Sequence, residues 1–404
     1  MKILYLHQYF NTPEMTGGTR SYEMAKRLVA RGHAVHMVTS RRDQSARGKW
    51  TTELIDGINV HWLPVPYSNH MGFYGRLKAF LHFAWSCTRK ARSIDADILF
   101  ATSTPLTIAI PGVLASRSLG IPMVFEVRDL WPELPIAIKA IRNPAAIFFA
   151  RKLERFAYRN STRVIALSPG MADGVIKTGF PRNRVVVIPN SCDLDMFRPG
   201  SKDASSFLQQ HPELGNSPFI LYAGTLGKIN GVEYLVKLAA AVLPSRPDLK
   251  FVVIGDGMER DLVEATARQL GVLDRNFFLY HPVAKREIVD AFFAASLIVS
   301  LFIDLPEMQA NSANKFFDGL ASGTAVAINY GGWQADLLTS NCAGIVLPPN
   351  PEQARSTVLD FFADLKKAAE YGANALRLAE QHFSRDELAQ RLEATLIEAR
   401  RDTY

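Results

Sequence analysis

Cysteine is scarce in this chain of 404 residues: Cys87, Cys192 and Cys342 are far apart and in no metal-ligand spacing. An odd, scattered set excludes a disulfide framework and suits a reducing compartment. No stretch approaches the run of about eighteen apolar residues that spans a bilayer. The opening Met-Lys-Ile-Leu-Tyr-Leu has one positive charge and too short an apolar run for a secretory signal, so a cytoplasmic location is expected. Repeats of solenoid period and low-complexity tracts are also missing. The dinucleotide fingerprint Gly-x-Gly-x-x-Gly does not follow the first strand, and the second strand ends in Thr39-Ser40-Arg41-Arg42 instead of a ribose-binding acid.

What is present is a globular composition, 48% hydrophobic and 21% charged, long enough for two ordinary domains. Charge is unevenly divided. Residues 1–200 hold 27 Lys and Arg against 14 Asp and Glu, whereas residues 201–404 hold 19 against 25. A basic half suits nucleic acid, anionic lipid or a phosphate-rich substrate, and charge alone does not choose among them.

Apolar β-branched runs alternate with helix-period segments almost from end to end, the pattern of a parallel α/β fold. Seven candidate strands, from KILYLHQYF to VVVIPN, precede a Pro-, Gly- and Ser-rich stretch, FRPGSKDASSFLQQHPELGNSP; the alternation then restarts at PFILYAG. The expected organisation is two doubly wound, Rossmann-like domains, residues 1–200 and 201–383, facing across a cleft, with a last helix over residues 384–404 packing back on the first. Helical breaks are expected near Gly372 and at Phe383-Ser384, with Ser384 capping the last helix. In such folds ligands bind at the carboxyl ends of the strands, which directs attention to the loops there.

Four loops carry candidate chemistry. In NTPEMTGG, Gly17 and Gly18 lack Cβ atoms and precede a helix whose N–H groups suit an anion or sugar hydroxyl; an ordinary βα turn is an equal reading. In PMVFEVRDLWPELP, Arg128 and Asp129 are the preferred ligand-facing groups, while Glu126 is as well suited to pairing with a basic helix. In YAGTLGKINGVEYL, Gly224, Gly227 and Gly231 frame a loop whose one cation, Lys228, is placed to meet phosphate. In SANKFFDGLASG, Lys315 and Asp318 share a helix face, with Phe316, Phe317 and Leu320 turned to the core. Asn311, Ser312 or Asn314 would cap that helix, leaving either a capped core helix with an internal pair or a site where Asn314 and Lys315 meet phosphate and Asp318 meets a ribose.

A fifth feature is a segment, residues 57–94, without Asp or Glu. Arg76, Lys78, Arg89, Lys90 and Arg92 lie there among Phe73, Tyr74, Leu77, Phe80, Leu81 and Trp85. Residues 73, 77, 80, 81 and 84 recur at helical spacing, which fits a helix packed on a sheet or one lying on an anionic membrane through residues 73–93.

Together MTGG, EVRDLWPE, SPGMADGVIKTGFPRNRVVVIPNSCDLDMF, GTLGKINGVEYL, VIGDG and NKFFDGLASGTAV resemble the retaining nucleotide-sugar glycosyltransferases of the two-domain GT-B type, over nearly the whole chain. The match looks nearest to the amino-sugar transferases of O-antigen and capsule assembly, where an RDLWPE segment recurs. The resemblance implies a donor-diphosphate lysine at Lys228. It places the family's carboxylate pair on Ala310 and Asp318, so that only the second acid is present and Glu307 stands on the same approach loop as a substitute for the first. Thr225 occupies the place of a usual arginine, and Arg128 that of a histidine before Asp129. Implied catalytic residues are Asp129, Arg128 and Lys228; implied donor-binding residues are Gly17, Gly18, Lys228, Glu307, Ser312, Asn314, Lys315 and Asp318.

The implied reaction moves a sugar, an N-acetylated amino sugar by the branch resembled, from a nucleoside diphosphate, UDP by preference, with retention, in surface polysaccharide or lipopolysaccharide synthesis. The acceptor would be a glycan or a polyprenyl-diphosphate-linked sugar. No metal or other cofactor is expected if Lys228 and Lys315 carry the phosphate charge, and no nucleic acid partner is expected. The expected location is cytoplasmic, peripheral at the inner face of the membrane. Rival readings are a nucleotide-sugar epimerase of the same architecture and a non-catalytic membrane-surface protein.

Overall fold

A computed structural model describes residues 1–15, 17–41, 49–66, 71–197, 204–283 and 285–402. Within these, the side chains of Phe73, Tyr74, Arg76, Ala204, Lys285, Arg286 and Leu365 are also outside the described set, as are Thr16 of the MTGG loop and residues 198–203 of the expected linker. The chain divides into two compact units, residues 1–189 with 386–404, and residues 190–385.

In the first unit the strands are β1 (Lys2–Leu6), β2 (Ala34–Arg41), β3 (Thr51–Ile55), β4 (Ile58–Pro64), β5 (Ile98–Thr102), β6 (Met123–Val127), β7 (Arg163–Ala166) and β8 (Val185–Val187). Their order is β3-β4-β2-β1-β5-β6-β7-β8, parallel except for the β3–β4 pair. Burial on both faces explains why the central strands read as unbroken apolar runs. The antiparallel β3 is absent from the sequence expectation. It is turned back by Asp56 and Gly57, both at positive φ, with Ile55 opposite Ile58, the geometry an Asp-Gly hairpin turn favours.

Helices α1 (Arg20–Ala30), α2 (Phe73–Arg92), α3 (Ala109–Leu119), α4 (Glu133–Ala137), α5 (Pro144–Arg159) and α6 (Pro169–Lys177) connect these strands. One apolar core joins α2, α3, α5 and α6 to one sheet face; a second joins α1 and the last helix to the other. Helix α2 corrects the expected packing stripe. Ala79, Phe83, Cys87 and Ala91, at i, i+4 spacing, turn to the core, and Ala84 of the expected stripe is buried beside them, whereas Leu77, Leu81 and Trp85 face outward.

The second unit has β9 (Phe219–Ala223), β10 (Lys250–Ile254), β11 (Phe277–Tyr280), β12 (Leu297–Ser300), β13 (Val326–Ile328) and β14 (Gly344–Val346), all parallel in the order β11-β10-β9-β12-β13-β14. Its helices are α7 (Ala204–Gln210), α8 (Glu233–Val242), α9 (Arg260–Gln269), α10 (Lys285–Ala294), α11 (Asn314–Ala321), α12 (Trp333–Ser340), α13 (Pro351–Ala363) and α14 (Leu365–His382). The tail does not break at Gly372. It breaks at Asp364, whose carboxylate caps α14 by accepting from the Lys366 and Lys367 N–H groups. Gly372 lies inside α14 because any Cβ there would stand 2.3 Å from the Gly323 carbonyl.

The units part at Pro189–Asn190, eleven residues before the expected boundary at 200. The intervening segment is bonded into the second unit. Asn190 N–H donates to Ser312 Oγ, Cys192 Sγ to the Phe317 carbonyl, and Phe197 packs edge-on against Phe292. Helix α15 (Arg385–Arg401) belongs to the first unit from Asp386 onward, held by Arg27 to Asp386, Arg31 to Glu393, and Leu388, Leu392 and Leu396 in the core.

Candidate functional site

In the second unit, two glycine loops at the carboxyl ends of neighbouring strands are fitted into one another. The loop after β9 donates from Gly224 N to Ile254 O and from Leu226 N to Asp256 O, and Glu259 N returns to Leu226 O. A Cβ on Gly255 would stand 1.9 Å from Gly224 O, and one on Gly257 2.3 Å from Leu226 O, so backbone contact itself demands glycine in VIGDG. Arg260 secures the second loop by donating to the Gly255 and Tyr280 carbonyls. A rigid platform results, from which Lys228 projects. Lys228 begins a short 3-10 turn, is exposed, and makes no hydrogen bond or ion pair among the described residues.

Lys315 approaches the same loop from α11. Its Nζ donates to the Tyr222 hydroxyl at 2.8 Å, lies 4.3 Å from the centre of the Tyr222 ring, and is 5.7 Å from that of Phe302. The Tyr222 hydroxyl in turn donates to the Thr225 carbonyl at 2.7 Å. With the Asn230 amide turned so that both its atoms are satisfied, its oxygen accepts from Lys315 Nζ at 3.2 Å and its nitrogen donates to Thr225 O. The residue keeps some solvent exposure, but its ammonium end is enclosed, and that desolvation pushes it down to about 7. Burial likewise lifts the Tyr222 phenol, so it stays a neutral donor. Lys228 and Lys315, 87 positions apart in sequence, therefore converge on one loop.

The expected caps of α11 are employed otherwise. Ala313 occupies the N-cap position and no side chain caps the helix. Asn311 Oδ1 accepts from Ala313 N, Ser312 Oγ from Asn190 N, and Asn314 is exposed at the first helical position. First-turn N–H groups without a side-chain cap favour an anion. Asp318 is half-buried on the same helix, while Phe316, Phe317 and Leu320 are buried as expected. Glu307 lies in the turn Pro306–Ala310, with its Oε2 enclosed and without a hydrogen-bond partner. That turn follows a loop bonded to the lysine turn through Ile303 N and Ile229 O.

In the first unit the strand order β1-β5-β6 brings three loops to one sheet edge. Arg128 N–H donates to Ser103 Oγ, its guanidinium approaches His7 Nε2 at 3.3 Å, and exposed Asp129 accepts from Thr104 Oγ1 at 3.2 Å. Gly17 sits at φ 128°, where a Cβ would meet Asn11 Nδ2 at 2.6 Å. Gly18 O accepts from that same amide. Glu126 is decided as a structural residue. It is buried, accepts from Arg20 Nη2 at 2.8 Å and from Thr102 Oγ1, and Arg20 also donates to the Ile188 and Pro189 carbonyls. Burial alone would raise its carboxyl, but Arg20 and Arg128 together hold it below the ordinary range.

Sequence reading missed Tyr222, Asn230 and His7. The signal for Tyr222 was a phenol two residues before Gly224 at a strand end. Asp-x-Asp spacings, also passed over, occur twice and are both in ion pairs: Asp95 and Asp97 meet Lys2 and Arg400, and Asp193 meets Arg385. No group of three or more metal-ligating side chains forms among the described residues.

Residues 16–191 match the model of the glycosyl transferase 4-like domain, and residues 203–377 that of the glycosyl transferases group 1. The putative colanic acid biosynthesis glycosyl transferase WcaI of Escherichia coli is 24% identical over 69% of this chain and 71% of its own. A D-inositol 3-phosphate glycosyltransferase of Streptomyces avermitilis is 25% identical over 90% of this chain and 79% of its own. Among solved structures, Anabaena HepE in complex with UDP and glucose superposes with a TM-score of 0.74 at 18% identity, covering 98% of this chain and 100% of that one. WaaG, a glycosyltransferase involved in lipopolysaccharide biosynthesis, does so with 0.72 at 16% identity, covering 98% and 99%.

Proposed function

From a chain that belongs to the two-domain GT-B glycosyltransferases, we propose an enzyme that moves an N-acetylated amino sugar from UDP to a glycan or polyprenyl-diphosphate-linked acceptor, with retention at the anomeric carbon, in bacterial surface polysaccharide or lipopolysaccharide synthesis. The observation that carries this reading is the convergence of Lys228, Lys315 and the uncapped start of α11 on one glycine platform. UDP and glucose in HepE and the colanic acid assignment of WcaI support the donor and product classes.

In the reaction the bond from the anomeric carbon to the diphosphate oxygen breaks, and a bond to the acceptor hydroxyl oxygen forms. The departing diphosphate takes the acceptor's proton. The protein's task is to stabilise the charge developing on that diphosphate, which fixed cations and helix N–H groups do without reorganising. Lys228 is a free cation for the phosphates; Lys315, held by Tyr222, is the second. Asp318 receives the ribose, Glu307 and Asn314 complete the donor's surroundings, and Asp129 with Arg128 orients the acceptor. Ser312 supports the approach loop through Asn190. No helix of the described residues is long and apolar enough to cross a membrane. The location proposed is peripheral, at the cytoplasmic face, through the basic and apolar residues of 73–93.

Thermal-shift screening with UDP, GDP and nucleotide sugars tests the reading, because a ligand of the folded state raises its stability by mass action. A shift with UDP and its N-acetylhexosamine conjugates is expected, followed by transfer to a lipid-linked acceptor. An α-linked product from an α-linked donor, read by NMR, reports retention. Absence of any nucleotide shift, or conversion of the donor to an epimer without acceptor, overturns it.

A further inference from the structure

The two helix layers of the first unit differ on their outer faces. On the α1 side, charges are matched by acids: Arg27 meets Glu23 and Asp386, and Arg31 meets Glu393. On the α2, α3 and α5 side the one such ion pair among the described residues is Arg151 with Glu133. Helix α2 exposes Leu77, Leu81 (50%) and Trp85 (64%), each one turn after the last, and then Arg89, which lies over the Trp85 ring. Helix α5 exposes Phe148 (55%) and Phe149 (68%), then Lys152, Arg155 and Arg159, and Lys152 lies over the Phe148 ring. Helix α3, between them, exposes Leu114 and then Arg117. Acids do little to offset these cations. Residues 57–94 contain none; Glu154 is buried, where desolvation and then Glu133 lift it to about 7; and Glu133 pairs with Arg151 at 3.6 Å.

Topology gives this pattern a direction. Strands β4 to β7 are parallel, and α2, α3 and α5 are their successive crossovers, so all three helices run the same way, with their N-termini at the carboxyl edge of the sheet. On each helix the exposed apolar residues precede the cations, with Lys78 an exception among the described residues of α2. Apolar residues therefore collect toward the edge that carries Gly17, Gly18, Arg128 and Asp129, and cations lie behind them. From Leu81 to Arg89 the offset along the axis is about 12 Å. Apolar side chains beside a band of cations are what a helix face lying in the interface of a leaflet uses, the apolar groups among acyl carbon and the cations at the phosphates. Between α3 and α5 runs a groove of about 620 Å³, with Ile110, Leu114, Leu153 and Phe156 as apolar walls and Lys152, Arg155 and Arg159 among its cations.

We propose that the outer face of α2, α3 and α5 is one docking surface for an anionic phospholipid bilayer, with lipid phosphates held at the cations of the α3–α5 groove. It rests on the proposed membrane contact of α2 and extends it. The surface spans three helices, and it presents the strand-end loops of the first unit toward the leaflet. An acceptor carried on a lipid diphosphate would meet Asp129 without leaving the membrane surface.

Sedimentation of the full chain with vesicles of phosphatidylcholine, with and without phosphatidylglycerol, tests the proposal. Binding to the anionic vesicles alone is expected. Lys152→Glu, Arg155→Glu and Arg159→Glu together weaken it by at least about a hundredfold, since each cation near an anionic leaflet contributes about a factor of five and its reversal adds repulsion. Phe148→Ser with Phe149→Ser, and Leu81→Ser with Trp85→Ser, each abolish it, while every variant keeps the wild-type UDP thermal shift. Loss with the α2 pair but wild-type binding with both α5 variants overturns the three-helix surface and leaves the α2 contact standing. No binding by the wild type to anionic vesicles overturns both. A wild-type dimer in light scattering that the same variants dissociate, without vesicle binding, assigns the face to a second copy and likewise overturns the proposal. Absence of the UDP shift in the wild type speaks against the donor reading, not against this surface.

Discussion

The Lys315 ammonium lies 2.8 Å from the Tyr222 hydroxyl, and that hydroxyl donates to the Thr225 carbonyl at 2.7 Å. One phenol thus joins a cation on α11 to the loop that carries Lys228. Desolvation places the Lys315 pKa at about 7, below its ordinary 10.5. A diphosphate beside Nζ restores the charged form. UDP binding at pH 8 should therefore take up protons, measured as a dependence of calorimetric enthalpy on buffer ionisation, and affinity should fall from pH 7 to pH 9. Lys315→Met should remove both effects.

The same shift has a stability consequence. Between about pH 7 and 10.5 the unfolded chain binds a proton at Lys315 that the folded chain does not, so the unfolding free energy rises with pH across that window. The penalty for burying the charge is fully present below about 7 and gone above the unfolded value. Urea unfolding of wild type and Lys315→Met, compared at pH 7 and pH 9, should show the wild type gaining more.

Lys228→Ala should leave unfolding unchanged within about 0.5 kcal/mol, because the side chain is exposed and makes no hydrogen bond or ion pair among the described residues. Turnover of the donor should nevertheless fall by a factor on the order of 10² or more, the usual loss when one group stabilising developing charge is removed. Asp318→Ala should raise the KM for the donor. Steady-state kinetics with equal melting curves separate these effects from misfolding.

Glu126→Ala should unfold the first unit most readily. It leaves the Arg20 guanidinium buried without its partner, a loss of about 3–5 kcal/mol by chemical denaturation. Because the folded carboxyl is held below its ordinary range, its contribution is present above that range and is lost as pH falls through the folded value.

Gly255→Ala adds a methyl 1.9 Å from the Gly224 carbonyl, so one of the two loops must move. Destabilisation of about 1–3 kcal/mol is expected. The more diagnostic result is a raised KM for the donor, since the displaced loop carries Lys228.

Much of this molecule was legible residue by residue. Unbroken apolar runs separated by helical periods required parallel strands buried on both faces, and the chain forms two such sheets. NKFFDGLASG showed its buried face at Phe316, Phe317 and Leu320. Asp56-Gly57 also carried its hairpin locally, although the strand it turns back was not counted. What local pattern leaves open is which surface each face meets. Periodicity placed Leu77 and Leu81 on one stripe of α2, but only packing showed that Phe83, Cys87 and Ala91 face the sheet instead. Gly372 read as a helix break until the Gly323 carbonyl lay against it. Glu126 acquired Arg20 from 106 positions away, and Lys315 acquired Tyr222 from 93. Composition and spacing determined the two sheets and the glycine loops, because these depend on near neighbours. Partners, protonation and the converging lysines were decided by the tertiary structure, because desolvation and hydrogen bonding depend on groups that only folding brings together.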